Sequence, residues 1–195
     1  MTREPVGVEG NARLTSSAAV LLLVLLAAEG ATIPAVHSLL RPHVFIGFAL
    51  IPPVLLKLAS TGYRFVRYYT GESTYRMKGP PPALLRLLGP VVIVSTVVLL
   101  ASGVGLLFVH GQWQQRSLTL HKASFIVWFA AMTVHVIGHL FETVRLAPRD
   151  WSMTSADRVQ GAGLRRSMLA VSIVAGALLG TWSLGHLGTW LGRSG

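Results

Sequence analysis

Residues 120–140 read LHKASFIVWFAAMTVHVIGHL, an apolar run long enough to cross a bilayer that nevertheless carries His121, His135 and His139. A hydrocarbon core takes roughly 20 helical residues, and ionisable groups inside it are costly enough to face a bundle interior and to mark function. At 3.6 residues per turn, the fourteen positions from His121 to His135 come within about 40° of four full turns and cover about 21 Å of axis. His139 lies one turn further along the same face. The stripe continues through Ser124 or Phe125, Trp128, Met132 and Glu142. The imidazoles are therefore expected to meet other helices, not lipid.

The rest of the chain supplies those helices. Of its 195 residues 52% are hydrophobic and 12% charged, with a mean hydropathy of +0.58, so polar surface is too scarce to wrap a water-soluble core. Five apolar stretches approach bilayer length, at about 14–33, 40–60, 88–109, 121–143 and 167–191. Lipid offers backbone N–H and C=O groups no partners, so each stretch must satisfy its own as a helix. The reading is an all-α integral membrane bundle of five transmembrane helices, a single domain over residues 1–195.

The formal charge of +10 does not point to nucleic acid, because the basic residues sort by membrane side instead of forming one patch. With the N-terminus cytoplasmic, only Arg41, Arg116, Lys122 and Arg193 of the 17 Lys and Arg residues fall outside. The other thirteen, Arg3, Lys57, Lys78 and Arg158 among them, fall inside, the bias expected of inner loops. The C-terminus is then extracytoplasmic, and the expected location is a bacterial-type plasma membrane crossed several times. The first span reads as an uncleaved anchor. With no cysteine, disulfides, thiolate iron–sulfur clusters and Cys-based zinc sites are excluded.

Several local features bear on packing. Pro52-Pro53 in the second span predicts a kink. Residues 61–82, TGYRFVRYYTGESTYRMKGPPP, mix tyrosines with basic residues and read as an interfacial anchor against lipid headgroups. Gly176 and Gly180 have the small-xxx-small spacing of close helix packing in membranes. Ser95, Ser102, Gly103 and Gly105 in the third span suit close packing and room for a flat cofactor equally.

If the histidines hold a metal, a second helix must oppose them. The second span offers His43, followed one turn later by Gly47, and fourteen residues on from His43 it reaches Lys57. With both spans running outside to inside, His43 matches His121 in depth and Lys57 matches His135. His43 and Gly47, His121 and His135 at their fourteen-residue spacing, and SGVGLL at 102–107 together resemble membrane-integral b-type cytochromes of the broad cytochrome b/b561 class, over roughly residues 37–143. The resemblance implies bis-histidine haem b at His43 and His121. It also implies a second, inner haem at His135, with either His139 or Lys57 as its other ligand, since Lys57 stands where that pattern has a histidine.

Outside these helices Arg41, two residues before His43, suits a haem propionate through its planar fork. Together with His110 and His186, His37 and Arg41 form either a set of rim residues or, through the imidazoles, a zinc or copper site. Glu29 either snorkels toward water or accepts a proton near the outer haem.

The resemblance implies an electron-transfer subunit, not a stand-alone enzyme, passing electrons between the membrane quinone pool and a partner redox protein or larger complex. The rival from another class is a non-haem accessory or scaffold subunit docking a larger complex through basic inner loops. A transporter ranks third, since the repeated halves and paired broken helices of many transporters are absent from the sequence.

Overall fold

The computed structural model describes residues 6–77, 79, 83–151 and 159–193. Among them there is no strand. The chain forms α1 (Val6–Thr32), α2 (Leu40–Ala49), α3 (Ile51–Tyr69), the short α4 (Ser73–Met77), α5 (Ala83–Gly105), α6 (Gln112–Leu146) and α7 (Ala162–Arg193). Five segments are long and apolar enough to span a bilayer, with α2 and α3 together forming the second. Of the basic residues sorted by side above, Arg3, Lys78 and Arg158 lie outside the described residues.

The helices overrun the apolar stretches that announce them. α1 starts at Val6, α6 begins nine residues before His121, and α3 runs on to Tyr69. Hydropathy marks the part of a helix that meets hydrocarbon, whereas the hydrogen-bond ladder continues for as long as the backbone permits. At one place the helix is shorter than the apolar run. α5 ends at Gly105 instead of 109, in tight turns from Leu107 N–H to Val104 O (3.1 Å) and Phe108 N–H to Gly105 O (2.9 Å). Gly111, at φ +60°, then opens α6. This backbone favours glycine and folds α5 and α6 into a hairpin.

The break in the second span falls at Leu50, just ahead of Pro52-Pro53. Neither proline donates, so the carbonyls of Phe48 and Ala49 lose their helical partners. Leu50 itself stays helical, its N–H bonded to Ile46 O (2.9 Å) and its carbonyl to Val54 N–H (3.0 Å). The carbonyl that Pro53 releases is turned toward α7. A Cβ at Gly176 would lie 2.5 Å from Ala49 O, and one at Gly180 would lie 2.8 Å from Phe45 O and from its ring. The two glycines thus permit α2 and α7 to touch backbone to backbone, as their spacing predicts.

α2 rests chiefly on α7 and then on α1, while α6 rests chiefly on α5 and then on α1. The packed apolar centre is small: Phe48, Leu107 and Leu187, with Val44, Ile51, Val104 and Leu184 around them. Large apolar side chains point outward instead, Phe141 being 81% and Ile137 69% exposed, as expected of surfaces that face acyl chains. The α1–α3 seam is polar. Asn11 Nδ2 donates to Ser60 O (3.1 Å), Ser60 Oγ and Thr15 Oγ1 donate to Asn11 Oδ1 (2.9 and 3.0 Å), and the hydroxyls of Thr15 and Ser60 touch. In a bilayer such contacts contribute about 1 kcal/mol each.

Candidate functional site

His43 and His121 come together. Their ring centroids lie 6.4 Å apart with planes at 89°, although they stand on helices whose main packing partners differ. Each ring is fixed through Nδ1 by a third element. On α1, the Thr32 hydroxyl donates to Glu29 O (2.6 Å) and lies 2.8 Å from His43 Nδ1. Having given its hydrogen away, that hydroxyl is an acceptor, so Nδ1 carries the proton. Glu29 Oε1 stands 3.1 Å from the same nitrogen. On α5, His121 Nδ1 lies 3.1 Å from Leu99 O, which can only accept, and 3.2 Å from Ser102 Oγ, which itself donates to Leu99 O (3.0 Å).

Both rings are therefore the Nδ1–H tautomer, with Nε2 of each left as an acceptor. Among the described residues neither Nε2 has a hydrogen-bond partner. A 6.4 Å separation suits a simple edge-on ring contact. Two metal–imidazole bonds of about 2.0 Å set end to end, plus the half-width of each ring, separate the centres by roughly 6 Å. A ligating histidine usually gives its second N–H to a carbonyl or carboxylate, as both do here. The donor set and its support fit an iron held between two neutral imidazoles.

SGVGLL takes its meaning from this geometry. Ser102 is buried against His121, and at Gly103 a Cβ would lie 3.1 Å from His121 Cε1 and 3.4 Å from Nδ1. Glycine leaves the ring its place. Deeper on the same α6 face, Ser124, Trp128 and Ala131 are buried, and Trp128 Nε1 donates to Thr96 Oγ1 (3.0 Å). The stripe does face the interior.

The inner residues are arranged differently. His135 and His139 lie side by side on α6, their centroids 4.7 Å apart, so they approach any ligand from the same helix. Lys57 is within electrostatic reach of both and of Glu142, but its ammonium donates to Thr15 O (2.8 Å). His135 Nδ1 is buried without a hydrogen-bond partner. The second imidazole needed on an opposing helix is not found among the described residues.

Arg41 is exposed at the start of α2. His37 and His110 are exposed, while His186 stacks on Trp182 at 4.1 Å and lies 6.0 Å from Phe108. No group of three or more His, Asp or Glu side chains able to hold a metal forms among the described residues. The zinc or copper site is accordingly not assembled among the described residues. Glu29 does not snorkel: its side chain is 16% exposed and turned onto His43. Thr32 escaped the sequence reading. Its signal was position alone, one turn after Glu29 at the depth of His43.

The chain matches no family model, no curated protein and no solved structure.

Proposed function

We propose that the chain is a membrane-integral b-type cytochrome subunit holding one haem b between His43 and His121 and moving electrons between the quinone pool and a partner redox protein. The observation that carries this reading is the pair of imidazoles from two helices, 6.4 Å apart, each with Nδ1 engaged. Haem supplies a one-electron couple. The protein supplies ligand tautomer, ring orientation and an apolar surround.

Orientation follows the charge bias: N-terminus cytoplasmic, C-terminus extracytoplasmic, in a bacterial-type plasma membrane. The His43 end then faces outward, toward an extracytoplasmic redox protein or quinol. Arg41, exposed beside it, is available to a propionate or to an acidic partner. We assign no second haem, since Lys57 is committed to Thr15 O and His139 shares a helix with His135.

The test is an absorption spectrum of the purified, folded protein, with haem counted per polypeptide. The expected result is a low-spin b-type spectrum at one haem per chain, lost in His43→Ala and in His121→Ala. A folded protein that stays colourless after haem supplementation overturns the proposal and leaves the accessory-subunit reading.

A further inference from the structure

Away from the histidines, a long crease runs between α5 and α6 on the outside of the bundle. Val91, Val94 and Val98 of α5 and Leu120, Ala123 and Val127 of α6 line a groove of about 540 Å³. A second hollow of about 400 Å³ shares Leu120 and Ala123 with it and carries the crease on to Arg116 and Gln115. The groove itself offers a ligand nothing polar. Its two hydroxyls are turned back on their own helices, Ser95 Oγ donating to Val91 O (2.7 Å) and Ser124 Oγ to His121 O (3.0 Å). Val91, Val94, Leu120 and Val127 are all exposed, so acyl chains reach it.

The character changes at one end. Arg116 is exposed near the start of α6, with its guanidinium 5.0 Å from the centre of the Trp113 ring, and tryptophan favours the headgroup level of a membrane. No carboxylate pairs with Arg116 among the described residues. Eleven residues separate it from Val127, about 16 Å of helix axis and roughly half of a 30 Å hydrocarbon layer. That is the depth of one leaflet.

We propose that this crease binds one anionic phospholipid, with an acyl chain along the α5–α6 groove and the phosphate on Arg116. The planar fork of a guanidinium matches phosphate bidentately, and basic pockets between membrane helices take acidic headgroups. A zwitterionic headgroup brings its own cation to Arg116 and gains less. A neutral isoprenoid ring would leave the guanidinium without a counter-charge. Nothing in the site requires haem.

The experiment is native mass spectrometry of the full-length protein in detergent, titrated with phosphatidylglycerol or with phosphatidylcholine. Wild type is expected to hold one phosphatidylglycerol per chain more tightly than phosphatidylcholine. Arg116→Gln weakens phosphatidylglycerol about fivefold and erases the preference, while Arg116→Lys stays nearer to wild type. Ala123→Phe fills the groove, leaves the charge and weakens both lipids. Lys122→Gln removes an exposed neighbouring cation that does not line the crease and changes nothing. All three positions are exposed, and circular dichroism checks that each variant is folded. Equal affinity of wild type for the two lipids overturns the proposal, as does a prenylquinone that binds the crease more tightly than phosphatidylglycerol. So does a folded Arg116→Gln or Ala123→Phe protein that binds as wild type, or an equal loss in Lys122→Gln.

Discussion

The two ends of α6 carry the same kind of side chain in different company. At one end His121 meets an imidazole from another helix, and each partner is anchored by a separate element, α5 for His121 and α1 for His43. At the other end His135 and His139 are neighbours on one helix, faced by an ammonium that has bonded to Thr15 O. A metal held between two imidazoles would need donors from two different helices. At the His43 end four elements bring two imidazoles from different helices together, whereas a single helix cannot do so however many histidines it bears. A spacing of fourteen residues says that two side chains share a face; it does not say what stands opposite.

The comparison breaks most sharply on haem content. His43→Ala and His121→Ala are expected to remove the haem completely, while His135→Ala and His139→Ala keep one per chain, read by pyridine haemochrome assay. If the inner variants lose colour and the outer ones keep it, the ends have been assigned the wrong way round. Lys57→His asks the converse question. Supplying an imidazole where the ammonium now reaches Thr15 is expected to raise the count toward two, and an unchanged count would mean that the inner end lacks space as well as a ligand.

Next in size is the support of α2. Gly176→Val forces a side chain against Ala49 O, which even a lone Cβ at that position would approach to 2.5 Å, and overpacking of this kind costs about 1–3 kcal/mol or more. Thermal unfolding in detergent should show the loss, with haem affinity falling alongside because His43 rides on α2. Gly103→Ala is milder. The added methyl presses on His121 at 3.1 Å, so haem titration should give weaker binding with little change in fold. Smallest is Ser102→Ala, which removes one neutral hydrogen bond worth about 1 kcal/mol while Leu99 O remains to orient the ring.

How much of this was legible beforehand differs between fold and site. Five spans, the kink at Pro52-Pro53 and the α2–α7 contact at Gly176 and Gly180 follow from length, from missing N–H groups and from side-chain size, all local properties of the sequence. The pairing of His43 with His121 was legible too, through depth along two helices running the same way. Thr32 and the Leu99 carbonyl were not, because a lone hydroxyl and a backbone oxygen carry no pattern until tertiary structure aims them. The contact of His186 with Trp182, four positions earlier on α7, is a local pair that the spacing alone could have suggested. The fate of Lys57 was open: its reach spans both His135 and Thr15, and only the position of α1 decides between them.

The contact between Gly176 and the freed Ala49 carbonyl bears on biogenesis. α2 leans chiefly on α7, which is synthesised well after it, whereas His121 already sits in its α5–α6 hairpin. A nascent chain halted before α7 therefore presents one imidazole firmly and the other on a segment that lacks its main support. On the proposed haem reading, cofactor capture becomes a late event that waits for α7.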